Sequence, residues 1–125
     1  MDSEAGAALA ETLTATGMSL LLFGFAVAAI IRVAQGSATV AMLTAAGIAA
    51  PVVEVAGLGP GDTALMVLAI ASGATVLSHV NDSGFWLVSR YLGLSEAQTL
   101  RSWTVTATLV GLIGLATALV LSLFV

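Results

Sequence analysis

The sequence predicts an all-α integral membrane protein, and three observations carry that prediction. The 125 residues are 59% hydrophobic and 8% charged, where a soluble domain carries about 25% charged residues. Four charge-free runs, Thr12 to Ile31, Val33 to Val53, Thr63 to Asn81 and Ser102 to Val125, divide the chain. Within them, polar residues gather into two short interruptions, 34–39 and 78–84. Mean hydropathy is +1.12, more apolar surface than a soluble core can hide, so the solvent is lipid.

Residues 1–17 form a polar, acidic N-terminal segment carrying Asp2, Glu4 and Glu11. It lacks the basic start of a secretory signal. Residues 18–53 are predicted to form a re-entrant helical hairpin. Its arms, Met18 to Val33 and Val40 to Val53, each fall short of the ~20 residues that cross a bilayer. The tip, 34–39, is Ala-Gln-Gly-Ser-Ala-Thr, and irregular backbone at membrane depth needs protein or a water-filled cavity around it. A single broken helix is the alternative for this stretch. Residues 54–63, with Gly57, Gly59, Pro60 and Gly61, read as a loop, and Asp62 or Thr63 is the expected N-cap of the next helix.

As one helix, the segment 64–94 would rise about 46 Å at ~1.5 Å per residue, more than the ~30 Å hydrocarbon core. It is therefore predicted to be discontinuous: Ala64–Leu77, an unwound Ser78–Gly84, then Phe85–Tyr91 and on to Leu94. Asn, Asp, Ser and Gly favour such a break because their side chains compete for backbone hydrogen bonds or add chain entropy. Residues 95–102 read as a loop. Residues 103–125 are long enough to cross, with Trp103 at the interface and a stripe of Gly114, Ala118 and Ser122 for packing on another helix.

Arg90 and Arg101 flank the 95–102 loop and place it in the cytoplasm, with the 54–63 loop and both chain ends outside. An exported acidic N-terminus with nothing to direct it suggests the tail of a longer protein. Acidity, with no Lys and only three Arg, argues against nucleic acid. The absence of Cys excludes disulfides and thiolate metal sites. No nucleophile elbow, phosphate-cradling loop or metal-spaced ligand set is present, so no enzyme and no cofactor is expected. Gly57, Gly59 and Gly61 follow no strand and are read as a loop. Two interrupted segments with polar breaks are instead the sequence signature of a secondary transporter's binding site.

Two stretches carry a family resemblance. Arg32-Val33-Ala34-Gln35-Gly36-Ser37-Ala38-Thr39-Val40-Ala41-Met42 resembles a stretch of the gluconate:proton symporter (gluconate permease) family. So does Ser78-His79-Val80-Asn81-Asp82-Ser83-Gly84-Phe85-Trp86, continuing through Tyr91-Leu92-Gly93-Leu94-Ser95-Glu96. The resemblance implies proton-coupled import of gluconate or a related sugar acid through a bacterial inner membrane, by a multi-pass protein. It implies a fold like the C-terminal repeat of an ion-transporter-superfamily carrier, with the N-terminal half as the missing partner.

On that basis Gln35, Gly36, Ser37 and Thr39 at the tip, with Ser78, Asn81 and Ser83 at the break, are the expected substrate contacts. Ser and Thr bonding only their own helix backbone is the plainer alternative. His79 and Asp82 are the candidates for proton coupling, since histidine titrates near neutrality and a carboxyl removed from water can exchange a proton. A structural hydrogen-bond knot holding the break open is the competing reading. Arg32 is open to three partners: the substrate carboxylate, Asp82, or a lipid headgroup reached by snorkelling. Trp86 and Phe85 are read as packing groups rather than a sugar-stacking platform. A small accessory membrane protein that assembles with another without transporting is the alternative function.

Overall fold

The computed structural model describes Ala8 and residues 20–124; the N-terminal segment 1–17 otherwise lies outside the described residues. Every regular element among them is helical, and two helices are long and apolar enough to cross a membrane.

Helix α1 (Leu20–Gln35) ends where Gly36 takes a left-handed φ of 72° and its N–H bonds to the Arg32 carbonyl at 2.8 Å. Glycine adopts that conformation without the penalty a Cβ imposes. Ser37 then caps α2 (Ala38–Ala56), its Oγ accepting the Val40 N–H at 3.2 Å. Two residues thus separate the helices, and α2 packs against α1. Ala41, Ala45 and Ala49 recur one turn apart and are buried with Ala28 of α1. Small side chains let helix backbones approach where lipid gives no hydrophobic drive to association. At 19 residues, α2 rises about 28 Å, longer than the half-span arm the sequence suggests. Pro51 lies within it; its missing N–H removes one helical bond without ending the helix.

Helix α3 (Pro60–Gly73) starts earlier than expected. Gly59 is the N-cap and Pro60 occupies the first turn, where proline's fixed φ suits a helix and its absent N–H is not needed. Asp62 sits inside that turn, and Thr63 bonds back to the Gly59 carbonyl at 2.9 Å. Helix α3 crosses α1 closely at two glycines. A Cβ on Gly24 would meet the Met66 sulfur at 2.8 Å, and one on Gly73 would strike the Phe25 carbonyl.

The break runs from Ala74 to Asp82, opening four residues before Ser78, and Ser83 and Gly84 already belong to α4 (Ser83–Leu92). The early opening has a tertiary cause. Thr108 of the last helix accepts the Leu77 N–H at 3.1 Å, and Thr104 donates to the Ser78 carbonyl. These side chains replace helical partners for the unwound backbone, which would otherwise be costly in an apolar medium. Leu77, at φ 50°, is the one non-glycine residue with positive φ among those described.

The last helix, α5 (Glu96–Leu121), begins seven residues before Trp103. Ser95 and Gln98 form a reciprocal capping box at its start, with bonds of 3.1 and 2.9 Å. A π turn, Leu100–Thr104, widens it just where it faces the break. Farther along, Gly111 lies against Val76 and Ser72, and Gly114 against Ser72, so α5 docks on the end of α3 and the opening of the break. Ala118 is fully buried on the same face. Alanines dominate the interior while Ile30, Leu43, Ile113 and Leu123 are 64–80% exposed. Small residues inside and large apolar ones outside suit a helix assembly in lipid.

Candidate functional site

The tip at Gly36–Ser37 and the break at Ala74–Asp82 meet. A Cβ on Gly36 would collide with the Asn81 backbone carbonyl, so the contact requires glycine there. His79 Nε2 and Asn81 Nδ2 both donate to the Val33 carbonyl, at 3.2 and 2.9 Å. A carbonyl only accepts, so the His79 proton in this arrangement resides on Nε2. Val33 lies in the last turn of α1, where carbonyls lack helical partners, so the break caps the helix that leads into the tip.

Arg32, in the last turn of α1, donates from Nη2 to Asp82 Oδ2 at 2.7 Å. Both side chains are about nine-tenths buried. Asp82 is also the N-cap of α4, its Oδ1 accepting the Gly84 N–H at 3.1 Å, and Ser78 Oγ donates to its Oδ2. Three donors therefore converge on one carboxylate and match its ionised form, which accepts and does not donate. Each charge also stands at the helix end that favours its sign: the cation at a C-terminus, the anion at an N-terminus. Of the three partners open to Arg32, the structure gives it Asp82.

Two residues outside the expected contact set, Trp103 and Thr104, belong to this cluster. Trp103 Nε1 donates to Ser78 Oγ at 2.8 Å, and Thr104 donates to the Ser78 carbonyl. Indole is only a donor, so Ser78 must turn its own proton toward Asp82. Trp103 is thus part of the chain Trp103–Ser78–Asp82–Arg32. The π turn that presents Trp103 and Thr104 leaves no trace in the sequence pattern. Trp86 donates to the Val80 carbonyl at 2.8 Å and stands edge-on to Phe85, with ring centres 5.3 Å apart. Both act as packing and bracing groups for the break.

The expected contact residues divide by position. Ser78 is fully buried and Gly36 is buried, while Gln35, Thr39, Asn81 and Ser83 are exposed and Ser37 and His79 half-buried. Ser37 Oγ is engaged as a helix cap. Among the described residues, no three His, Cys, Asp or Glu gather as a metal site.

Arg32 and Asp82 thus join two interruptions lined by hydroxyls and amides, the kind of place where a polar solute can be met within an apolar body. The model of the GntP family permeases matches residues 1–124. The chain belongs to that family. It is 45% identical over 114 residues to the low-affinity gluconate transporter of Escherichia coli, covering 91% of this chain and 26% of the relative. It is 46% identical to the Gnt-II system L-idonate transporter of Escherichia coli, over 92% of this chain and 26% of the relative. With the gluconate permease of Pseudomonas aeruginosa it shares 48% identity over 85% of this chain and 23% of the relative. The chain therefore spans about a quarter of the length of these curated relatives. No solved structure matches it. The chain is a membrane protein of a permease family, and these relatives are named as transporters and permeases rather than enzymes.

Proposed function

We propose that this chain is the C-terminal part of a proton-coupled secondary transporter that imports gluconate or a related sugar acid. The observation that carries the proposal is the Arg32–Asp82 ion pair, which clasps the two interruptions of a permease-family chain onto each other. The names of the relatives supply the substrate class: gluconate and L-idonate are both polyhydroxylated carboxylates.

In this reading the α1–α2 hairpin is re-entrant and its tip lies within the membrane, facing the break. Gln35, Gly36, Ser37 and Thr39 with Ser78, Asn81 and Ser83 offer hydroxyl, amide and N–H groups to the polyol. Asp82 is the principal proton carrier and His79 its neighbour in the relay. A proton arriving on Asp82 removes the negative charge that holds Arg32, and the guanidinium becomes free for the substrate carboxylate. Loading of proton and sugar acid then go together, which is symport. The rest of the permease supplies the other half of the site, as in carriers built from repeats. The protein sits in the bacterial inner membrane as a multi-pass carrier, its exposed Leu, Ile and Val side chains against lipid or the remaining helices.

The test is uptake of labelled gluconate by the permease containing this chain, expressed in cells lacking their own carriers. Accumulation should be saturable, stronger at acid external pH and abolished by an uncoupler. Uptake insensitive to both would remove proton coupling, and no uptake of any sugar acid would remove the function.

A further inference from the structure

A serine hydroxyl has one proton and two lone pairs, so its surroundings decide which way it points. Ser78 is fully buried, out of reach of bulk water. The Trp103 Nε1–H, which can only donate, takes one lone pair at 2.8 Å, and the Ser78 proton goes to Asp82 Oδ2. That oxygen also accepts from Arg32 Nη2 at 2.7 Å, while Oδ1 accepts from the Gly84 N–H at 3.1 Å. Both carboxylate oxygens face donors, so a proton arriving on either one meets another. A proton on Oδ2 requires Ser78 to reverse from donor to acceptor.

Trp103 opposes that reversal. An N–H directed at the Ser78 oxygen polarises its O–H bond, and donors in such a chain reinforce one another in an apolar interior. The series Trp103, Ser78, Asp82 is fully paired while the carboxylate is charged. After the reversal Ser78 accepts from both neighbours, and its own proton is left with neither of them. The hold comes from another helix. Thr104 donates to the Ser78 carbonyl and Thr108 accepts the Leu77 N–H, so α5 grips the same stretch of the break with its backbone contacts as well. The π turn Leu100–Thr104 carries Trp103 and Thr104, and π turns inside α-helices are frequent at functional sites.

The charged surroundings of Asp82 are few. Arg32 of α1 is its ion partner, and His79 of the break is turned to the Val33 carbonyl. Arg90 of α4 and Arg101 at the start of α5 are exposed, and Glu54 and Asp62 stand at the far ends of α2 and α3. What α5 brings to the cluster, Trp103 and Thr104, does not titrate near neutrality.

We propose that Trp103 is a positioning residue for proton loading: it holds the Ser78 hydroxyl as a donor to Asp82, so that α5 sets the acidity at which the carrier takes its proton. The inference rests on the proton-carrier role proposed above for Asp82 and adds the side chain and the helix that tune it.

The experiment measures uptake of labelled gluconate against external pH in cells lacking their own carriers, with the intact permease as wild type, Ser78→Ala, Trp103→Phe and the double variant. Losing a donor to the charged carboxylate lets the proton bind at lower acidity. The pH of half-maximal uptake should therefore rise by about one unit in Ser78→Ala, and by less in Trp103→Phe. The double variant should shift no further than Ser78→Ala, because the hydroxyl that transmits the effect is gone. Trp103→3-benzothienylalanine keeps the shape of the indole without its N–H, should shift like Trp103→Phe, and decides the case if the phenylalanine variant fails to insert. A wild-type midpoint in either Trp103 variant, even with a lower maximal rate, reduces Trp103 to packing and overturns the proposal. Shifts that add in the double variant overturn it too, since Trp103 would then act without Ser78. Wild-type uptake that does not respond to pH overturns proton coupling itself and this inference with it.

Discussion

Arg32 and Asp82 are 50 residues apart in the chain and 2.7 Å apart in space, each closing a helix end of opposite partial charge. The pair thereby fixes α1 to α4 across the tip and the break. A buried pair is not in itself strongly stabilising, because both ions lose their water, but half of one is costly, at about 3–5 kcal/mol. That asymmetry makes the pair both a clasp and a point of control.

Asp82→Asn keeps one oxygen to cap α4, but its NH2 then faces the Ser78 and Arg32 donors, and Arg32 is left buried and uncompensated. The variant permease should melt below wild type in detergent, and Arg32→Gln together with Asp82→Asn should recover most of the loss. Gluconate should raise the melting temperature of Asp82→Asn more than that of wild type, because the substrate carboxylate then replaces the missing anion. Proton-driven accumulation should vanish while gluconate binding persists. If uptake keeps its normal pH dependence, Asp82 is structural and His79 becomes the coupling group.

Gly36→Ala should be far more damaging than Gly47→Ala. Gly36 has a φ of 72°, and a Cβ there meets the Asn81 carbonyl, so either the tip or the break must move. Left-handed φ alone costs an L-residue roughly 1–2 kcal/mol, before the clash is counted. Gly47 has nothing within 4 Å of an added Cβ, and alanine there should stabilise the helix by about 0.5–1 kcal/mol. Uptake and melting temperature should both fall in the first variant and hold in the second.

Much of this arrangement can be read from the residues, and the missing parts have identifiable causes. Gln35-Gly36-Ser37 announces a helix end, a left-handed residue and an N-cap, all local effects. Ser95 and Gln98 also spell a capping box, yet a low-hydropathy stretch reads as loop when charge runs are used to find helices. The opening of the break at Ala74 is different. Nothing in Ala74-Thr75-Val76-Leu77 disrupts a helix strongly; Thr104 and Thr108, about 30 residues later, capture the backbone at Ser78 and Leu77. Trp103 joins the Asp82 cluster through a π turn, which has no pattern of its own. Polar breaks are therefore visible in a sequence as composition, while their partners depend on which helix lies across from them.

The loop Gly57–Gly59 and the turn Gly93–Ser95 should lie on opposite sides of the membrane, the second in the cytoplasm. Arg90 and Arg101 bracket the latter, whereas Glu54 and Asp62 bracket the former. Gly59 and Ala97 are both exposed, so single cysteines there should tolerate a bulky membrane-impermeant label. In whole cells the cysteine replacing Gly59 should react and that replacing Ala97 should react only after lysis. The reverse pattern inverts the orientation.

The 125-residue chain expressed alone should insert but not transport. Its site is open: Gln35, Thr39, Asn81 and Ser83 are exposed, as is Thr106 on the nearby turn of α5. In a bilayer those groups would face lipid, and unsatisfied backbone polar groups in that setting cost several kcal/mol each. Tyr91 and Phe124 are more than 80% exposed as well, an apolar surface large enough to drive association in detergent. Polar groups that need covering and apolar groups that can be covered lie on the same body, so an additional helix layer resolves both. The measurement compares gluconate uptake in carrier-free cells with this chain alone, and with it co-expressed beside the remaining portion of a full-length relative. Uptake should require both polypeptides. Saturable, uncoupler-sensitive uptake by the chain alone would mean that a second copy covers the site, and cross-linking through a cysteine at Thr106 would then report symmetric dimers.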